Sequence, residues 1–217
     1  DYDRNGQLVA QQYPSGRRVN YHYDAHGRLA TVDTEHQDRS ENVLTHIRHQ
    51  PFGPLATLGY GNGTQLQIGQ DKNYRTRSQQ LTGAANDPLY HRGYDYDANS
   101  NIVGITDYNK PAANQVFEYD ALSRLTDATG NYGTLGYSYD AVGNRISRTQ
   151  NNRLEDYTYA ENSNRLLSVI SEGEQGDLTT RTLSYDAVGN ITNDSANLNA
   201  KILGFGANNR LEQVTVS

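Results

Sequence analysis

The chain has 217 residues and a formal net charge of −6, with 19 basic and 25 acidic residues interspersed and no run of Lys or Arg, which excludes the cationic footprint of a nucleic-acid or anionic-membrane binder. Cysteine is absent, so disulfides, thiol nucleophiles and thiolate metal sites are excluded as well. Hydrophobic residues make up only 35%, and 17 Tyr stand beside 3 Phe and no Trp, a composition that supplies a compact interior poorly but suits a thin sheet wetted on at least one side.

The first element opens the chain as Tyr2-Asp3-Arg-Asn-Gly6-Gln-Leu8, and the pattern returns as Tyr23-Asp24-Ala-His-Gly27-Arg-Leu29. Residues 33–93 hold weaker copies, among them Tyr74-Arg-Thr-Arg-Ser-Gln-Gln-Leu81. Regular copies resume at Tyr96-Asp97-Ala-Asn-Ser-Asn-Ile102, Tyr119-Asp120-Ala-Leu-Ser-Arg-Leu125 and Tyr139-Asp140-Ala-Val-Gly143-Asn-Arg-Ile146. Tyr159-Ala-Glu-Asn-Ser-Asn-Arg-Leu166, Tyr185-Asp186-Ala-Val-Gly189-Asn-Ile191 and a degenerate Phe205-Gly-Ala-Asn-Asn-Arg-Leu211 complete the series, giving a period of about 20 residues.

Before each Tyr-Asp the sequence alternates with period two. Leu135, Tyr137 and Tyr139 share one face of a strand and Gly136, Ser138 and Asp140 the other. The pairs Tyr21/Tyr23, Tyr94/Tyr96, Phe117/Tyr119, Tyr157/Tyr159 and Leu183/Tyr185 repeat this, which predicts a ladder of stacked aromatics on one face. The Gly, Ser or Asn that follows tolerates positive φ, and an apolar residue then opens a return strand such as Ile146–Thr149. Each copy therefore reads as a β-hairpin with its first strand ending near Tyr23, Tyr96, Tyr119, Tyr139, Tyr159 or Tyr185. No apolar stripe of helical period survives two turns, so the expected class is all-β, antiparallel hairpins stacked into one continuous curved or spiralling sheet.

The recurring Tyr-Asp-Ala-x-Gly-Asn/Arg-Ile/Leu resembles the tyrosine-aspartate (YD) repeats of Rhs proteins, Tc-type insecticidal toxin subunits and animal teneurins. The resemblance covers essentially the whole chain as one array over 1–217, regular over 1–32 and 94–217 and degenerate over 33–93, and it is strongest toward the bacterial Rhs type. It implies a structural β-shell that encloses and protects a C-terminal toxin domain of a secreted protein. The implied partners are further YD repeats of the parent chain, the enclosed toxin domain and secretion-apparatus proteins. The alternative it implies is an extracellular recognition, adhesion or glycan-binding module on the same strip, for which Tyr60, Tyr90, Tyr108 and Tyr132 are aromatics outside the period.

No protease or toxin domain is expected within the chain. Asp87-Pro88-Leu89-Tyr90 lacks the glycine of the Asp-Pro-x-Gly motif that closes Rhs cores, and it sits mid-chain, so it reads as a turn. The absence of Met and an opening inside the motif predict an internal stretch of a longer protein, with Leu211–Ser217 as a final alternating strand. An excised strip exposes unpaired edges, which predicts edge-mediated self-association.

The repeat-defining residues are Tyr2, Asp3, Gly6, Tyr23, Asp24, Gly27, Tyr96, Asp97, Tyr119, Asp120, Tyr139, Asp140, Gly143, Tyr159, Tyr185, Asp186 and Gly189. The aspartates invite an acid-base or Ca²⁺ reading, but an Asp entering a tight turn accepts hydrogen bonds from N–H groups two residues on, and recurrence at every turn favours that structural duty. Asp95-Tyr-Asp97-Ala-Asn99-Ser-Asn101 lacks the central Gly and closing Glu of a Ca²⁺ loop. His22, His26, His46 and His49 lack a helix to share a metal, Gly59-x-Gly61-x-Gly63 lacks the Lys of a phosphate loop, and no Gly-x-Ser-x-Gly occurs. No enzyme activity, cofactor, metal, nucleic-acid partner or membrane insertion is expected; no apolar run is long enough to span a bilayer as a helix.

Overall fold

The computed structural model describes residues 1–51, 53–173, 176–196 and 200–216; the last residue of the expected terminal strand, Ser217, lies outside them. The chain divides into two units, Asp1–Asn114 and Gln115–Ser217. The first contains β1 (Ala10–Gln12), β2 (Arg18–Tyr23), β3 (Leu29–His36), β4 (Arg39–His49), β5 (Leu55–Tyr60), β6 (Gln65–Gln70), β7 (Thr76–Thr82), β8 (Pro88–Tyr96) and β9 (Ile102–Asp107), then one 3-10 turn at Pro111–Ala113. The second contains β10 (Gln115–Tyr119), β11 (Leu125–Gly130), β12 (Gly133–Tyr139), β13 (Arg145–Gln150), β14 (Arg153–Tyr159), β15 (Leu166–Glu172), β16 (Leu178–Tyr185), β17 (Ile191–Ala196), β18 (Lys201–Phe205) and β19 (Leu211–Val216). Within each unit every strand pairs antiparallel with its neighbours in chain order, so each unit is an all-β meander of hairpins.

Six strands end on the tyrosines that the alternation marks: β2 at Tyr23, β8 at Tyr96, β10 at Tyr119, β12 at Tyr139, β14 at Tyr159 and β16 at Tyr185. Except at Tyr159, these hairpins share one construction. The residue after the tyrosine donates its N–H four residues on and accepts from the N–H three residues on, as in Asp24 N to Arg28 O (2.7 Å) and Gly27 N to Asp24 O (2.9 Å). This is a type I turn closed by a residue in the left-handed region, where Gly27 sits at φ +74° and Gly143 at +97°. A second irregularity follows on the return strand, because Tyr139 pairs with Arg145 but Ser138 with Ser147, leaving Ile146 as a bulge.

That bulge corrects one sequence expectation. Arg145 rather than Ile146 opens the return strand of the Tyr139 copy, and Ile146 is exposed. The weak copy at Tyr74 is corrected too. The strand ends at Gln70, Asp71 holds the turn, and Tyr74 occupies the left-handed position at φ +60°. Off-motif register shifts are concentrated in β3–β5, between Val32/Asp33 and Thr45/Arg48, whereas β6–β9 shift only at the turns.

Very little of either unit is buried. The buried apolar side chains are Ala10 and Val32 in the first and Ala128, Val169 and Leu183 in the second, and none of the described residues is a large side chain in full burial. Directly paired residues share a face, so Tyr137, Arg148, Glu155 and Ser171 line one side of the second unit, and Ser138, Ser147, Asp156 and Ile170 the other. With so small a core, the side-chain bonds that link one hairpin to the next become the main specific supplement to the backbone ladder.

Candidate functional site

The site is the tyrosine-aspartate turn, and each of its three polar positions has a defined partner. The aspartate accepts two backbone bonds on one oxygen. Asp120 Oδ1 takes the N–H of Leu122 (2.9 Å) and Arg124 (3.0 Å), and Asp140 Oδ1 takes those of Val142 (3.0 Å) and Asn144 (2.8 Å). Asp3, Asp24, Asp71 and Asp186 repeat the pair, and Asp97 binds the N–H of Asn101. The bond two residues on is the one the turn chemistry predicts; the one four residues on also ties the aspartate to the return strand.

These bonds favour the ionised carboxylate. The backbone N–H of Arg28 is the largest influence on Asp24, holding it at about 2 against an ordinary 3.8. Asp120 is lowered chiefly by the N–H of Arg124, and Asp97 and Asp186 chiefly by the side-chain amides of Asn101 and Asn190. In Asp71 and Asp140 partial desolvation pushes upward, and the bonds from Arg75 and Asn144 outweigh it. A carboxylate held this way is a poor general acid or base near neutrality.

The tyrosine hydroxyl fastens one copy to the copy before it. Tyr23 donates to the carbonyl of Leu8 (2.9 Å), Tyr96 to Thr76 (2.7 Å), Tyr139 to Leu125 (2.8 Å), Tyr159 to Arg145 (3.0 Å) and Tyr185 to Leu166 (2.9 Å). In every case the acceptor is the residue that pairs with the strand-ending position of the preceding copy; Leu125 pairs with Tyr119, Arg145 with Tyr139 and Leu166 with Tyr159. Gln70 performs the same task in the weak copy, donating to the carbonyl of Leu55 (2.9 Å), which pairs with His49. Copies thus meet through hydroxyls rather than as the expected ring-on-ring ladder. The close ring pair among the described residues, His91 and Tyr108 at 4.3 Å, lies off the motif.

The third position escaped sequence reasoning. Four residues after the aspartate, Arg75 and Arg124 each bind their own aspartate through Nε, at 2.7 and 2.6 Å. Each also lies over the next copy's tyrosine, Arg75 at 4.4 Å from the Tyr96 ring and Arg124 at 4.8 Å from the Tyr139 ring. Each then donates through Nη1 to the next aspartate's carbonyl, Asp97 (3.2 Å) or Asp140 (2.9 Å). Where the position is asparagine, Asn144 bridges Asp140 to Asn164 and Asn190 bridges Asp186 to Asn209. The signal was the Asn/Arg alternative written into the repeat itself.

The remaining candidates are scattered. Tyr2 forms an isolated bridge with Leu8, and the left-handed Gly6 and Gly189 close their turns. Tyr159 is followed by Ala160, and its turn is one residue longer, from Ala160 to Arg165. His22 pairs with Asp33 at 2.5 Å. Tyr90 and Tyr94 share a hydroxyl bond of 3.1 Å, whereas Tyr60 and Tyr108 are exposed singly. Among the described residues no group of three or more His, Asp or Glu is arranged to hold a metal, and no helix is long and apolar enough to cross a membrane.

Hairpins of this geometry, bolted copy to copy, define a β-repeat array. Residues 2–38 match the RHS Repeat family model. The chain is 25% identical to the double-stranded DNA deaminase toxin A of Burkholderia cenocepacia, across 93% of this chain and 17% of that protein. It is 24% identical to the tRNA3(Ser)-specific nuclease WapA of Bacillus spizizenii, across 90% of this chain and 8% of that one. Among solved structures, TcdB2-TccC3 without its hypervariable C-terminal region superposes with a TM-score of 0.81 at 15% identity, over 98% of this chain and 12% of that chain, a likeness of fold. The chain is a stretch of RHS, or YD, repeats. It spans less than a fifth of the length of the relatives it matches.

Proposed function

We propose that this chain is a wall segment of an RHS-repeat β-shell that encloses and protects a C-terminal toxin domain of a secreted protein, and that it catalyses nothing itself. The observation that carries the reading is the fastening of copy to copy. Motif tyrosines, aspartates and the arginine or asparagine after them are engaged by neighbouring backbone and side chains, which leaves them little to offer a substrate. A wall also needs no central core, because each hairpin rests on the one before it. The relatives are named for deaminase and nuclease activities, and the share of each that this chain matches is small.

On this reading residues 1–217 form one array, with no toxin or protease domain of their own. Their partners are the other repeats of the parent chain, the enclosed domain and the secretion machinery.

The test uses the full-length parent protein with protease added outside. Tyr139→Ala, Tyr159→Ala and Tyr185→Ala together remove three successive bolts and are expected to expose the C-terminal domain to cleavage. Undiminished protection, with hydrogen exchange showing the wall opened at those hairpins, would refute enclosure. Nuclease or deaminase turnover by the 217-residue chain alone would refute the absence of catalysis.

A further inference from the structure

Among the described residues, the non-glycine residues at positive φ sit in turns with one exception: His46, at φ +51°, lies inside strand β4. A side chain held left-handed in the middle of a strand is strained, and such strain persists only where the surroundings fix it. Here the fixing group is Thr57 on the neighbouring strand, whose hydroxyl donates to the His46 carbonyl (3.1 Å).

The strain accompanies a bulge that the repeat does not need. Thr45 pairs with Gly59 and Arg48 with Thr57, so His46 and Ile47 stand opposite the single residue Leu58, away from any motif turn. Undisturbed alternation would put Thr45 and Arg48 on opposite faces of the sheet; the extra residue puts both on one. Thr57 and Gly59 pair in turn with Gln67 and Gln65, so Thr45, Arg48, Thr57, Gly59, Gln65 and Gln67 share that face.

Gly59 makes the room. A Cβ there would stand 2.5 Å from Thr45 Oγ1 and 3.5 Å from His46 Nδ1. In its place is a hollow of about 230 Å³, whose lining includes His46, Arg48, Thr57, Gln65 and Gln67 and no carboxylate, in a chain of net charge −6. The side chains of Arg48, Gln65 and Gln67 have no hydrogen-bond or ion-pair partner among the described residues. The motif arginines Arg75 and Arg124, by contrast, are each engaged by an aspartate. A guanidinium fork, an imidazole and two primary amides gathered without a counter-ion are donors suited to an oxyanion.

We propose that this hollow binds a small tetrahedral oxyanion of the phosphate or sulfate class, with Arg48 as its charge partner and His46, Gln65 and Gln67 as further donors. Donors on both β4 and β6 can each be given an oxygen by a tetrahedral anion, whereas a planar carboxylate has only two to share. The site does not depend on what the wall encloses.

Amide NMR titration of the 217-residue chain with inorganic phosphate, and separately with sulfate, tests it at low ionic strength, where an exposed ion contact is least screened. Saturable shifts are expected at residues 45–48, 57–59 and 65–67. Affinity should fall about tenfold in Arg48→Gln and about threefold in His46→Gly. Because glycine accepts the left-handed conformation without strain, His46→Gly should melt no lower than the parent, which separates lost binding from lost fold. Arg17→Gln removes one charge from an exposed position outside the hollow and should leave affinity within about twofold. Acetate should bind about threefold more weakly than the better tetrahedral anion. Shifts that do not saturate, that persist unchanged in Arg48→Gln, or that Arg17→Gln weakens equally overturn the proposal. Acetate binding as tightly as phosphate and sulfate overturns the tetrahedral class, and a lower melting temperature in His46→Gly overturns the strain argument.

Discussion

The two edges of each sheet are built on different terms. On one, Asp24, Asp71, Asp97, Asp120, Asp140 and Asp186 impose one turn, and Tyr or Gln70 bolts each hairpin to the last. On the other, turns are of two described kinds. Gln37-Asp38 and Asn151-Asn152 are two-residue loops with both residues left-handed, while Tyr13, Tyr60, Gly83 and Gly173 open turns with the backbone bonds of the motif turn but no motif aspartate. Side chains tie hairpins together on both edges; the first uses a recurring tyrosine-aspartate pair, the second different residues from turn to turn, such as Asn151 with Thr134 and Asn109 with Pro88.

Insertions should give the largest contrast. Four glycines placed between Gln37 and Asp38 lengthen a two-residue loop away from the aspartate turns and should cost about 1 kcal/mol, since loop-closure entropy grows slowly. The same insertion between Ala141 and Val142 separates Asp140 from both N–H groups it holds, and urea midpoints should fall several times further. Equal losses at the two sites would erase the distinction between the edges.

Arg124→Ala should come next, at about 2 kcal/mol, because it removes a carboxylate bond, a ring contact and a carbonyl bond at once. Arg39→Ala, on the variable edge, should fall within about 0.5 kcal/mol. Thermal denaturation of both variants checks the pair.

A gain of about 1 kcal/mol is expected from Gln70→Tyr, which would restore the bolt of the regular copies and remove the buried Oε1 of Gln70, an atom with no bonding partner. A loss would mean that the weak copy is adapted to glutamine.

Acid should weaken the aspartate turns. The folded value of Asp24, about 2, lies below its unfolded value of 3.8, so its contribution is complete above pH 4 or so and is lost as pH falls toward 2. Asp71, Asp97, Asp120, Asp140 and Asp186 shift the same way. Far-ultraviolet circular dichroism should therefore hold steady from pH 7 to about 4 and change below it; a transition near pH 6 would contradict the aspartate staples.

Much of this was legible in the chain. Alternation before Tyr139 or Tyr185 fixes a strand, the following Asp-Ala-Val-Gly fixes a turn, and together they locate the strand end to the residue. The aspartate's bond two residues on follows from its short side chain. Contacts that depend on how one copy lies against the next were not legible. Nothing within Tyr159 says that its hydroxyl reaches Arg145, 14 residues earlier, since that distance is set by a bulge at Ile146. The weak copy anchors on Asp71 with Arg75 four residues on, and Tyr74, the residue that resembles the motif, sits inside the turn instead. Tyrosine rings suggested stacking because ring area dominates any one-dimensional view of the pattern, whereas the hydroxyls make the connection.

The central claim, that motif tyrosines serve to fasten copies, is tested most directly by two sets of Tyr→Phe substitutions in the 217-residue chain. One set takes Tyr23, Tyr96, Tyr139, Tyr159 and Tyr185, and the other takes Tyr2, Tyr13, Tyr60, Tyr108 and Tyr132. Equilibrium urea denaturation should show the first set losing about 5 kcal/mol, about 1 for each hydroxyl bond, and the second nearly unchanged. Equal losses, or a motif set as stable as the parent, would contradict it.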